Sequence, residues 1–117
     1  MNTILASFDI VNLYTNIDHD FGLIAIHYWL SKYTELIHSR FNTNFIVDSI
    51  TFILKNNYFM FNEEYFLQIK GTAMGTKFAP MYANLVIGYF ETILHQKLSI
   101  SFDSFFISYF GHTQLIN

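Results

Sequence analysis

Apolar and polar positions alternate along this chain in two rhythms, and the changes between them mark the predicted elements. Ile4 to Leu13 reads as a strand with Asp9 near its C-terminal end. Asn16, Asp18 and Asp20 then offer capping side chains and negative charge at a helix start. Leu23, Ile26, Leu30, Tyr33 and Ile37 follow at three- and four-residue steps, broadened by Phe21, Ile24 and Tyr28, which predicts a helix to about His38. Thr43 or Asn44 can cap a second helix whose Ile46, Ile50, Ile53 and Leu54 share a side. Its end is expected near Asn56-Asn57, residues that tolerate left-handed geometry.

Tyr58 to Phe61 and Tyr65 to Ile69 are aromatic-rich strand candidates joined by Asn62-Glu63-Glu64, a hairpin-length connection without a glycine. Gly71 to Thr76 reads as a loop, and Pro80 suits the first turn of a helix running to about Leu98. Phe102 to Tyr109 is a last strand candidate. No repeat, low-complexity tract or linker divides the chain, so residues 1–117 form a single unit of α+β class, a small antiparallel sheet packed with about three helices.

Composition changes this picture in one respect. Hydrophobic residues make up 52% of the 117 positions and aromatics 20%, from 14 Phe, 8 Tyr and 1 Trp. That excludes a disordered chain and suffices for a modest core. It also predicts either many buried aromatics or a surface that packs against further protein.

Charge points away from a nucleic-acid grip. Six Lys+Arg against nine Asp+Glu give a formal net charge of -3, with no basic run, whereas phosphate contacts usually need a positive stripe. The absence of cysteine excludes disulfides and thiolate metal sites. The N-terminus lacks the pattern of a signal peptide. Phe78 to Leu98, the most apolar stretch, contains Asn84 and Glu91 and reads as a buried helix, not a membrane span. An intracellular protein is the default expectation.

Candidate chemistry is sparse. A lone Asp at a strand end, such as Asp9, is ordinarily a turn or cap residue, and Tyr14 alone is an ordinary core aromatic. Gly71, Gly75 and Lys77 suggest a phosphate-binding P-loop, but the spacing fails, since four residues must separate the glycines and Lys must follow the second directly. The five histidines, at 19, 27, 38, 95 and 112, make no His-x-x-x-His pair and read as surface or core residues. No Ser-His-Asp or Gly-x-Ser-x-Gly arrangement is visible.

Two longer stretches say more. Phe8-Asp9-Ile10-Val11-Asn12-Leu13-Tyr14-Thr15-Asn16-Ile17 resembles the first catalytic motif of reverse transcriptases in its Penelope-like form, a Phe-Asp-Val followed shortly by Leu-Tyr-Thr-Asn-Ile. Gly71-Thr72-Ala73-Met74-Gly75-Thr76, two residues, Ala79-Pro80, one residue, then Tyr82-Ala83-Asn84-Leu85 resembles the second motif of the same branch at every named position. Asn56 to Phe61, with Tyr65 and Gln68, is similar to the stretch ahead of that motif, so the likeness runs from about Ile4 to Glu91.

The resemblance implies a partial reverse-transcriptase palm, RNA-directed DNA polymerase by family, using Mg²⁺, deoxynucleotides and an RNA or DNA template-primer. It implies that Asp9 is the catalytic metal ligand, since a carboxylate on a strand end suits a hard cation with oxygen ligands. It places Tyr14 at the sugar gate that disfavours a 2′-hydroxyl, and Met74 and Gly75 at the base-pair pocket, where most relatives outside this branch carry Gln-Gly. Small residues at Gly75, Ala79 and Ala83 are expected to keep one helix face thin for a strand or a duplex.

The third motif breaks the pattern. The family's Tyr-x-Asp-Asp is matched only by Tyr109, after which Gly111 and His112 stand where the paired aspartates belong. Glycine offers no ligand, neutral imidazole is a poor partner for Mg²⁺, and Asp103 comes too early to substitute. Losing those carboxylates removes several kcal/mol of transition-state stabilisation, on the order of a thousandfold in rate. The expectation is therefore a truncated or decayed copy, inactive alone. Two alternatives remain: a retroelement-derived packing or interaction module, and one half of a split enzyme completed by another polypeptide.

Overall fold

The computed structural model describes residues 9–98. Within them the chain is α+β. Helices α1 (Leu13–Asn16), α2 (His19–Lys32), α3 (Thr43–Lys55) and α4 (Phe78–Leu98) accompany one antiparallel hairpin of β1 (Tyr58–Phe61) and β2 (Glu64–Leu67). The expected first strand lies partly outside the described residues, and its described part corrects the expectation. Asp9 and Ile10 are irregular, and Asn12 turns into left-handed backbone (φ 52°, ψ 47°) before α1 begins. Local side-chain bonds drive this: the Thr15 hydroxyl donates to Asn12 O at 3.0 Å, and the Asn16 amide to Val11 O at 3.1 Å. Such bonds offer the backbone an alternative to a sheet ladder. The strand expected over Phe102 to Tyr109 lies outside the described residues.

Asp18 caps α2, its Oδ1 accepting from the amides of Asp20 (3.0 Å) and Phe21 (3.2 Å). The helix stops at Lys32, short of the expected His38. The Thr34 hydroxyl donates to the carbonyls of Leu30 and Ser31, satisfying them where the helix ends, and a 3₁₀ turn over Thr34–Leu36 follows. Asn42, not Thr43 or Asn44, caps α3 by accepting from the Asn44 amide at 2.8 Å. At its far end Asn56 is not left-handed (φ −119°). Its side-chain amide instead donates to Phe52 O at 2.9 Å.

The core is built helix on helix: α2 packs against both α3 and α4, and α1 lies on α4. Ile17, Ala25, Ile26, Leu54, Tyr82, Ala83 and Val86 form its buried centre. Small residues set the closeness of α2 and α4, since a Cβ at Gly22 would fall on the Tyr82 phenol. The Trp29 indole N–H ties the same two helices by donating to Leu85 O at 2.8 Å. Ala79 and Ala83 are buried in this packing, so the thin helix face expected to meet a strand or a duplex is already covered. Gly75 precedes the helix altogether.

The hairpin stands beside this core. Its turn has two residues, Asn62 and Glu63, both at positive φ (52° and 65°), as a type I′ turn requires, and Glu64 belongs to β2 opposite Phe61. Phe59 and Phe66 face one another and stack at 5.7 Å between centroids. All eight strand residues are nevertheless exposed, so much of the chain's aromatic content is on the surface. Ile69 lies past β2 and is 83% exposed.

Candidate functional site

The two segments that carry the resemblance meet. The Thr72 amide donates to Tyr14 O at 2.7 Å, and the Gly71 amide to Ile17 O at 2.9 Å. His19 at the start of α2 completes the contact, its Nε2 lying 2.7 Å from Gly71 O. A carbonyl only accepts, so the imidazole donates and Nε2 carries the proton. Gly71 is at φ +76°, and a Cβ there would lie 2.6 Å from Thr15 Cα. Left-handed backbone and close approach together restrict this position to glycine.

Upstream, Gln68 braces the entry to the loop. Its amide donates to Asn57 O at 2.8 Å, its side chain accepts from the Asn57 amide at 2.6 Å, and its Nε2 donates to Lys70 O at 2.9 Å. Downstream, Met74 and Gly75 form an exposed turn, Met74 72% exposed and Gly75 at φ +91°. A Cβ at Gly75 would meet nothing within 4 Å, so that side of the loop is open. Thr76 then leads into α4, its Oγ1 accepting from the Ala79 amide at 3.2 Å, with Pro80 in the first turn.

Of the four residues singled out in the sequence, Tyr14 is half-buried on α1 and packs against the core, as an ordinary core aromatic does. The Tyr14 and Ile17 carbonyls hold the loop that carries Met74 and Gly75. Asp9 is exposed on the irregular segment before α1. Among the described residues, no three carboxylates or imidazoles stand close enough to hold a metal ion together. Asp103, Tyr109, Gly111 and His112 lie outside them.

Two residues with a structural part in this site had little to mark them in the sequence. His19 binds a carbonyl 52 positions away, and its placement directly after a capping Asp is its one local signal. Tyr82 is fully buried with its hydroxyl lacking a hydrogen-bond partner among the described residues. Burial pushes its ionisation up to about 12, with the charge of Asp18 adding to the effect. No described helix is long and apolar enough to cross a membrane. No family model, curated protein or solved structure matches the chain.

Proposed function

We propose that the chain is part of the palm of a retroelement reverse transcriptase of the Penelope-like type, and that it does not polymerise nucleotides by itself. One observation carries the reading: the segments resembling the first and second motifs are bonded peptide to peptide, through Thr72 with Tyr14 and Gly71 with Ile17. The open side of Gly75 and the exposed Met74 beside it suit a base pair laid against that turn. Template-primer and deoxynucleotides are the partners this reading implies, with Tyr14 at the sugar gate.

The same reading makes Asp9 the ligand for Mg²⁺. A pair of magnesium ions needs several carboxylates at close spacing. Asp9 is one exposed carboxylate, and Gly111 and His112 occupy the positions of the absent pair. The donor set does not fit a two-metal centre.

A second reading, a non-catalytic interaction module derived from such an element, is favoured by the hairpin. Tyr58, Met60, Phe61 and Tyr65 are each more than 60% exposed, a group of large apolar side chains of the kind that marks an interaction surface. Primer extension with Mg²⁺ or Mn²⁺ separates activity from its loss. No template-dependent incorporation is expected, and incorporation abolished by Asp9→Ala would overturn the inactive assignment. The genomic frames past the Tyr109 codon separate a palm interrupted by a frameshift from the module. An Asp-Asp continuation in another frame supports the palm reading, whereas its absence from every frame, with no incorporation, leaves the module.

A further inference from the structure

We propose that His19 is a positioning residue that locks the Gly71–Thr72 peptide and thereby sets the orientation of the loop carrying Met74 and Gly75. The functional consequence rests on reading that turn as a base-pair pocket; the lock itself does not.

Gly71 O and the Thr72 amide are the two ends of one peptide unit. The amide donates to Tyr14 O at 2.7 Å, and the carbonyl accepts from His19 Nε2 at 2.7 Å. The orientation of this peptide is set by ψ of Gly71 and φ of Thr72, and a glycine without a Cβ restrains its own side of that rotation little. Turning this one would break both bonds together. The amide of the preceding peptide, Gly71 N–H, adds a third bond to Ile17 O, so the two peptides flanking Gly71 are held from α1, the residue after it and the first residue of α2.

The imidazole is itself carried on a rigid base. Asp18 fixes the first turn of α2 through the amides of Asp20 and Phe21, so His19 leaves a capped helix end and not a free loop. Its contact is part-buried, where a hydrogen bond is less exposed to competition from water. The loop runs from this lock to Gly75, whose φ of +91° again permits more than one backbone conformation. Without the His19 bond, the peptide that orients Met74 is held at one end only.

Amide hydrogen exchange on the full chain tests the lock, with Thr72 as the reporter and Leu54 in the core as the control. His19→Phe keeps a ring of similar size but has no donor. Exchange at Thr72 is expected to rise about tenfold while Leu54 changes much less. His19→Gln, whose side-chain amide can reach as Nε2 does, is expected to recover most of the protection. Unchanged protection in His19→Phe, or no recovery in His19→Gln, overturns the proposal. Should His19→Phe lose protection at Leu54 as well, the wild-type imidazole decides. A ¹⁵N spectrum showing Nε2–H with a slowly exchanging proton supports the lock, and an Nδ1–H ring or a rapidly exchanging proton overturns it. Primer extension, whatever its outcome, leaves these readouts unmoved.

Discussion

Thr72 and Tyr14 are joined at 2.7 Å by a backbone bond between a buried threonine and a half-buried tyrosine. The bond runs from the loop before the longest helix to the one-turn helix α1, and it brings Gly71 against the Thr15 backbone. The loop is therefore seated by main-chain contacts, which depend on glycine at one position and tolerate more at another.

Gly71 and Gly75 separate these two demands. At Gly71 both the positive φ and the backbone of Tyr14 and Thr15 oppose a Cβ. Gly71→Ala is expected to cost about 3 kcal/mol or more, through strain and displacement of the seated loop. At Gly75 only the φ of +91° opposes it, since nothing lies within 4 Å. Gly75→Ala is expected to cost about 1–2 kcal/mol. Denaturant midpoints for the two variants check the order, and equal losses would mean that the close approach at Gly71 does not matter.

The hairpin turn carries a removable strain. Asn62 tolerates left-handed backbone, but Glu63 at φ 65° has a Cβ and no special compensation. Glu63→Gly relieves about 1–2 kcal/mol of local strain against about 0.5–1 kcal/mol of added chain entropy. The net expectation is a gain of up to about 1.5 kcal/mol. It should be read from slower amide exchange at Phe59 and Phe66, a hydrogen-bonded pair of the ladder, and faster exchange there would contradict the turn geometry.

Elements with long, regular signals were legible from residue pattern. α4 covers Phe78–Leu98 of the described residues with Pro80 in its first turn as expected, α3 ends at the asparagines, and the hairpin forms from its two aromatic runs. The segment around Asp9 was not, because Asn12, Thr15 and Asn16 settle it through side-chain bonds a few residues long, which an apolar run does not reveal. The inner face of α2 was legible only in part: Ile26 is buried and Phe21, Leu23 and Leu30 pack on the core, but Ile24 and Tyr33 are 54% and 45% exposed, while Gly22 and Ala25 are buried. Close helix packing selects small residues there, and small residues carry little hydropathy. Tyr14, Met74 and Gly75 were legible as a resemblance, whereas the bonds that seat their loop end on backbone atoms that no side-chain pattern marks.

Gly22 and Tyr82 form the tightest of these packings. A Cβ at Gly22 would overlap the Tyr82 hydroxyl and lie 2.6 Å from Cζ and 3.1 Å from Cε2. Gly22→Ala is expected to lose about 1–2 kcal/mol even though alanine favours helix by about 1 kcal/mol. Tyr82→Phe removes a buried hydroxyl without a partner among the described residues and is expected to be neutral or stabilising by about 1 kcal/mol. In the double variant the loss from Gly22→Ala should shrink but not vanish, because the ring carbons remain. A thermodynamic cycle from the four unfolding free energies checks this coupling. Additive effects would place the two residues apart.

Alkaline titration isolates Tyr82 in another way. Its phenol ionises at about 12 in the fold, from an ordinary value of 10.0, because burial and then the Asp18 charge disfavour the anion. A raised phenol value means that the folded state holds its proton while the unfolded state has released it. The associated stability is therefore complete below pH 10 and is lost as pH rises from 10 towards 12, a decline of roughly 2–3 kcal/mol over that window. Phenolate absorbance should register one tyrosine ionising later than the others, and the lag should disappear on unfolding. In Tyr82→Phe the late phase should be missing and the fall in stability between pH 10 and 12 correspondingly shallower. A late phase that survives the substitution would assign it to another tyrosine, and with it the buried phenol beneath α2.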